Sequence, residues 1–357
     1  MRVIPVDKVK PGMVTDRAVI GPGGEVLLSR GVKINGYYLK RLKEIGIPAV
    51  YIRDHNIGNV EYDEVISEQT RQEALRVSKD VMDSIRLSSD FDLKKVNKIV
   101  DELISELLVS KDLLVALVDM RAANDTSFYH GVNTTVLSVI TGIALGYDIE
   151  KLGQLACGAL FHDIGIIMLP PELLKRQAPL SAEENEKIMK HPELGFEILR
   201  KKEGVSLMSA HVALQHHEKF DGTGYPRGLT GDEISEFARL VAITAIYDDL
   251  ASVGSETSRV LPHQAIEYLT IHSGKWFDPE ILQVFFGTIA VFPLGTPVLL
   301  NSGETALVTR VNKKFPTRPV VRVFKNRTGA KVFPPFEIDL AKNPAYFIQK
   351  ILANDEP

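Results

Sequence analysis

A single cysteine, Cys157, stands among the 357 residues of the chain, inside the apolar stretch LACGAL. That excludes a disulfide framework and fits a reducing compartment. No apolar run approaches the ~18–20 residues of a membrane span, and the N-terminus MRVIPVDKVKPG lacks the apolar core of a signal peptide, so the expectation is a soluble cytoplasmic protein without a membrane span. An excess of positive charge is also missing. The 42 Lys+Arg against 46 Asp+Glu leave a net charge of -4, which provides no basic field for DNA, RNA or an anionic membrane. Any anionic ligand must be held locally. The glycine cluster GPGG at 21–24 lacks the Lys-Ser/Thr of a phosphate loop and reads as a turn. With 45% hydrophobic and 25% charged residues, collagenous and wholly disordered classes are excluded, and the length suggests two or three compact units. Histidine is what the chain concentrates. Of nine, His130, His162, His191, His211, His216 and His217 fall in one quarter of the sequence.

The pattern along the chain divides it into four segments. Residues 1–55 read as a small α/β module, with β-prone VLL (26–28) and AVYI (49–52) flanking the helical YYLKRLKEIGI, which ends at Gly46. Residues 56–118 read as a helical linker or dimerisation segment. In it Ala74, Ser78, Val81 and Ile85, then Leu93, Val96, Val100, Leu103 and Leu107, step by three and four. That stripe suits a helical hairpin or a short coiled coil joining a homodimer through 60–118, with SSDFD (88–92) supplying the break and an N-cap. Residues 119–290 keep a helical texture, and Ser181-Ala-Glu-Glu184 is a capping box opening a helix toward His191. Residues 291–357 read as a β-rich module, with strands at 298–300, 306–311 and 320–324 and a closing helix AYFIQKIL. The fold class expected is mainly α, an all-helical central domain with a small unit at each end.

His162-Asp163 sets an imidazole beside a carboxylate in an apolar stretch read as helix, ALFHDIGIIML. His216-His217-Glu218 places two histidines where neighbouring helical side chains diverge by about 100°. Residue types alone leave two readings open: scattered core and helix-end histidines, or a ligand set for two transition metals bridged by Asp163. In the second, two divalent ions about 3.5–4 Å apart would hold a phosphodiester and generate hydroxide near neutral pH. Imidazole favours iron or manganese, with zinc or nickel also accepted, over magnesium. The loop DGTGYPRGL that follows brings Gly222, Gly224 and Pro226 into a sharp turn, with backbone amides and Tyr225 beside the histidines.

Six motifs now stand in order: Tyr129-His130-x-x-Asn133, Phe161-His-Asp-Ile-Gly165, Leu180-Ser-x-Glu-Glu184, Lys190-His-Pro-x-x-Gly195, His216-His-Glu-x-x-Asp-Gly-x-Gly-Tyr-Pro226 and Trp276-Phe-Asp-Pro279. Over about 120–285 the chain closely resembles the HD-GYP family, a branch of the HD metal-dependent phosphohydrolases. The resemblance implies hydrolysis of cyclic di-GMP to pGpG, and onward to GMP, at a metal centre in a bacterial signalling protein. It assigns His130, His162, Asp163, His191, His216 and His217 as ligands and Asp163 and His162 as catalytic. Gly222, Gly224, Tyr225, Pro226, Asp248 and Arg259 fall to the substrate side, and GGDEF-type proteins to the partners.

The chain departs from that family at four places. Ile166 stands where a lysine follows His-Asp-Ile-Gly, Ala245 where an aspartate ligand is usual, and VGSETSRVL where a basic run follows, leaving Arg259 as a displaced candidate. Thr126 stands where three-metal members carry glutamate. Preorganised positive charge is often the largest catalytic contribution, so reduced turnover is expected. Two other readings follow: a catalytically impaired receptor or interaction module that binds a cyclic dinucleotide or a GGDEF-type partner, and another nucleotide phosphohydrolase of the HD superfamily.

Overall fold

The computed structural model describes residues 2–21, 25–47, 49–53, 65–87, 90–110, 126–174, 180–251, 262–292, 294–312 and 314–352. At the N-terminus β1 (Arg2–Pro5) pairs antiparallel with β4 (Ala49–Ile52), and β2 (Val19–Ile20) with β3 (Val26–Leu28). Helix α1 (Gly36–Ile45) is capped by Asn35, whose side chain accepts from the Tyr38 amide, and ends at Gly46 with φ 83°. That left-handed geometry costs glycine no Cβ clash. Ile34, Leu42, Ile47 and Val50 form the core of this unit. The strands and helix read from sequence are all present. β1 and β2 are additional, because runs of four and two residues carry too little alternation to declare a strand.

Helices α2 (Glu68–Arg86) and α3 (Leu93–Val109) realise the three/four-spaced stripe, and Asp92 caps α3 by accepting from the Lys94 amide. Ala74, Ser78 and Val81 on α2 and Val96, Val100, Leu103 and Leu107 on α3 are buried. They are buried inside this chain, however. The apolar side chains of both stripes join one core with α4 (Thr126–Ala144) and α5 (Ile149–Leu160). A dimer of this chain would need a face other than that stripe.

The bundle continues through α6 (Pro171–Leu174), α7 (Ala182–Ile188), α8 (His191–Lys201), α9 (Leu207–Gln215), α10 (Glu236–Ala251), α11 (Pro262–Ile271) and α12 (Pro279–Phe286). The Ser181/Glu184 capping box opens α7 as the sequence predicts. Helices α4 and α10 are buried almost all round, which is the pattern of helices enclosed by neighbours. Several of their buried hydroxyls pair within the bundle: Ser138 on α4 bonds Thr244 on α10 at 2.8 Å, and Thr135 and Thr141 donate to the carbonyls four residues back, while Thr134 Oγ1 is buried with no hydrogen-bond partner among the described residues.

The C-terminal unit is a five-stranded antiparallel sheet of β5 (Pro297–Leu300), β6 (Thr305–Arg310), β7 (Val320–Lys325), β8 (Lys331–Asp339) and β9 (Ile348–Ile351), in the order β8-β7-β6-β5-β9. The expected closing helix is therefore wrong: its residues form β9 on the open edge of β5. Asn301 holds that segment, exchanging hydrogen bonds with the Phe347 backbone and donating to Ala345 O. β8 goes beyond the three strands read from sequence; it contains Pro334-Pro335, which an edge strand tolerates.

Cys157 is 8% exposed, and burial pushes its thiol up to about 11. A maleimide at pH 8 is expected to label it only after unfolding; rapid labelling of the native chain contradicts that burial. Gly165 permits the closest backbone approach next to the histidines, since a Cβ there would lie 2.0 Å from the His191 carbonyl oxygen. Gly165→Ala should destabilise the chain by about 1–3 kcal/mol, read as a melting temperature several degrees lower; an unchanged melt would mean the contact is loose.

Candidate metal centre

His130 projects from α4, buried at 5% exposure. Helix α5 stops at Leu160, so His162 and Asp163 do not lie within a helix as the sequence suggests. They occupy the turn into a 3-10 segment, Ile164–Met168, tightened by Ile164 N to Phe161 O and Ile166 N to Asp163 O. His191 is the first residue of α8, which packs on that segment. His216 is the C-cap of α9 and His217 follows it, so the double histidine sits at a helix end and not on a helix surface. Helix ends let the rings converge, with His216 and His217 centroids 4.2 Å apart.

The Nδ1 atoms decide the chemistry. His162 Nδ1 lies 2.8 Å from Ala159 O, His191 Nδ1 2.8 Å from Ile188 O, and His216 Nδ1 2.9 Å from Ala213 O. A carbonyl oxygen only accepts, so each Nδ1 is the donor and each Nε2 keeps a lone pair. His130 Nδ1 likewise donates to Asp248 Oδ2 at 2.7 Å. The Nε2 atoms then face one another, at 3.1 Å for His130 and His162 and 3.3 Å for His191 and His216. Two lone pairs so close repel unless a cation lies between them. With metal–nitrogen bonds of about 2.1 Å, adjacent ligands stand about 3.0 Å apart in octahedral and about 3.4 Å apart in tetrahedral geometry, so the spacing fits a coordination shell.

Asp163 joins the two pairs. Its Oδ1 lies 3.3 Å from both His191 Nε2 and His216 Nε2, while Oδ2 lies 3.6 Å from His162 Nε2. Two ligand groups result, Asp163 with His191, His216 and His217, and Asp163 with His130 and His162. Burial, joined by the neighbouring imidazoles and only partly opposed by Asp163, pushes His216 down to about 4 and His217 well below its ordinary value, so both rings are neutral and ready to bind metal at neutral pH.

The Gly222–Pro226 turn folds back on this cluster. A Cβ on Gly224 would lie 2.3 Å from the Lys219 amide and 2.5 Å from the His217 carbonyl, so only glycine fits. Glu218, 3% exposed, closes the loop by accepting from the Arg227 amide at 2.8 Å and the Leu229 amide at 3.0 Å. The Tyr225 ring then stacks on His217 at 4.7 Å, and burial, reinforced by the Asp163 charge, keeps its phenol protonated. Sequence reasoning gave Glu218 no role; a carboxylate directly after two ligands and before a glycine-rich loop was the available signal.

Asp248 lies on the Nδ1 side of His130: its Oδ2 accepts from His130 Nδ1 and its Oδ1 from Asn133 Nδ2 at 2.9 Å, and with His130 and Asp249 it makes a third group able to hold a metal. Ile166 lies in the 3-10 segment directly after Asp163, Arg259 lies outside the described residues, and nothing is described of the Thr126 side chain. His211, given no role from sequence, lies against Phe196 and bonds the Leu207 carbonyl. A chelator-treated chain should gain melting temperature when Mn²⁺ is added, equivalent to about 2.7 kcal/mol at a hundredfold excess over Kd. Asp163→Asn should remove most of that gain; an equal gain in the variant would contradict the shared carboxylate.

Comparison with known proteins meets this geometry. Residues 114–281 match the HD domain family, and residues 297–356 match a KOW domain associated with HD domains. The cyclic di-GMP phosphodiesterase PA4108 of Pseudomonas aeruginosa is 27% identical over 257 residues, covering 72% of this chain and 62% of that protein. The cyclic di-GMP phosphodiesterase PdeB of Borreliella burgdorferi is 28% identical over 228 residues, covering 64% of this chain and 60% of that protein. The chain thus spans about three fifths of the length of these relatives. The solved structure of Bd1817, an HDG"Y"P protein from Bdellovibrio bacteriovorus, shares the fold, with TM-score 0.50 and 22% identity over 79% of this chain and 97% of that one. No described helix is long and apolar enough to cross a membrane. Residues 114–281 thus resemble an HD domain, and residues 297–356 the KOW domain associated with such domains.

Proposed function

We propose that the chain hydrolyses cyclic di-GMP to pGpG, slowly, at a centre of two divalent transition-metal ions sharing Asp163. The carrying observation is the pair of ligand clusters whose unprotonated Nε2 atoms converge on the two oxygens of that carboxylate. Their imidazole-rich composition favours iron or manganese, and zinc or nickel after them. Ions of this kind, when bound, activate water for attack on phosphorus and neutralise charge on the phosphoryl oxygens.

The chain's own residues do the rest. Hydrogen bonds to backbone carbonyls hold His162, His191 and His216 in one tautomer, so no reorganisation is needed when the substrate arrives. Tyr225, protonated and stacked on His217, offers its hydroxyl as a donor at the rim, and the Gly222–Pro226 backbone closes that side of the mouth. The substrate assignment is supported by the activities named for the relatives and by the intact loop. The same reading places the chain in the bacterial cytoplasm beside GGDEF-type proteins that make the messenger.

Slowness follows from charge. Ile166 supplies no cation beside Asp163, and the His130–His162–Asp163 group has only three protein ligands where the resembled family adds an aspartate at position 245. Metal-loaded chain incubated with cyclic di-GMP should release pGpG on chromatography, and Asp163→Asn should abolish it. Ile166→Lys with Ala245→Asp should raise turnover by about tenfold or more. A chain with both sites loaded that yields no pGpG overturns the proposal, and binding without turnover would then identify a receptor. Phosphate released from nucleoside monophosphates with cyclic dinucleotides untouched would identify a different phosphohydrolase.

A further inference from the structure

Helix α2 lies outside the stretch that matches the HD domain, yet its first turn reaches Asn133, two hydrogen bonds from His130. Ser67 caps α2 by accepting from the Thr70 amide. Glu106 on α3 ties that turn down, accepting from Ser67 Oγ at 2.9 Å and Thr70 Oγ1 at 2.6 Å. The next residue, Arg71, donates from Nη1 to Asn133 Oδ1 at 3.4 Å. Asn133 Nδ2 donates to Asp248 Oδ1 at 2.9 Å, and Asp248 Oδ2 accepts from His130 Nδ1 at 2.7 Å. The amide of Asn133 has one workable orientation here, with its oxygen toward the guanidinium and its nitrogen toward the carboxylate. Asn133 and Asp248 are 1% and 2% exposed, so water does not readily replace these bonds. Asp249 Oδ1 also lies 3.3 Å from His130 Nδ1, but its side chain is 60% exposed.

We propose that Arg71 is a positioning residue of the metal centre, acting from outside the HD domain through Asn133 and Asp248 on the His130 ring. It governs metal occupancy of the His130–His162–Asp163 group and leaves the Asp163–His191–His216–His217 group untouched. The inference rests on the two-cluster metal reading. The group with three protein ligands is the one most sensitive to the aim of each ligand. Partners beyond the ligands commonly change metal affinity by about 10–100-fold. A shift of α2 against α4 would thereby alter one metal site, giving the N-terminal units a route to the centre.

The test is Mn²⁺ binding by equilibrium dialysis to the chelator-stripped full chain, with melting of each metal-free variant to confirm folding. The unsubstituted chain should show two classes of site. Arg71→Ala should weaken one by about 10–100-fold and leave the other within twofold, and Arg71→Lys, which keeps a charged donor, should restore part of the loss. Asn133→Ala should give the same loss, and the double variant no more, because both cut one chain of bonds. Unchanged binding in Arg71→Ala, equal weakening of both classes, or additive losses overturn the role of Arg71. If Arg71→Ala does not fold, Arg71→Lys and Asn133→Ala carry the same test. One class of site in the unsubstituted chain overturns the two-cluster reading itself, separately from the role of Arg71.

Discussion

Four imidazoles hand their Nδ1 protons to oxygen acceptors, and everything at the centre depends on this. Three of those acceptors are backbone carbonyls at or near helix ends, and the fourth is Asp248. Once the tautomers are fixed, Nε2 lone pairs point at one another and at Asp163 across 3.1–3.3 Å. Such an arrangement is unfavourable alone and favourable around cations, so the fold stores a binding site as electrostatic repulsion between its own ligands. On the proposed function, a net charge of -4 is compatible with an anionic substrate, because the cations would come from bound metal and not from side chains.

The scaffold serves that convergence by bringing chain ends together. His162, Asp163, His191, His216 and His217 all sit at the starts or ends of helices, where backbone carbonyls are left unpaired and available to histidine. Gly165 lets the 3-10 segment press on α8, and Gly224 lets the loop fold onto the His217–Lys219 backbone. Neither glycine has a positive φ; both are required by closeness alone. Glu218 then fixes the loop through two backbone amides, which connects the Asp163–His191–His216–His217 cluster to the wall that bears Tyr225.

Much of this was legible in the chain. The three/four spacing declared α2 and α3, the capping residues Asp92 and Ser181 marked helix starts, and the ordered motifs named six residues that the structure draws into two groups able to hold a metal. What was not legible depended on partners distant in sequence. The apolar stripe of α2 and α3 looked available to a second copy because sequence cannot show that α4 and α5 cover it. The segment 345–352 has helical composition, but β9 is decided by the vacant edge of β5. Sequence cannot show that the two oxygens of Asp248 bond His130 and Asn133, and Arg71 carries no motif at all.

The central claim is that one carboxylate, Asp163, holds two metals side by side. Electron paramagnetic resonance of the Mn²⁺-saturated chain tests it directly, since ions about 3.5–4 Å apart are magnetically coupled. The account predicts a spin-coupled pair signal that gives way to isolated Mn²⁺ in Asp163→Asn. A spectrum of isolated ions alone, at saturation of the unsubstituted chain, would contradict it.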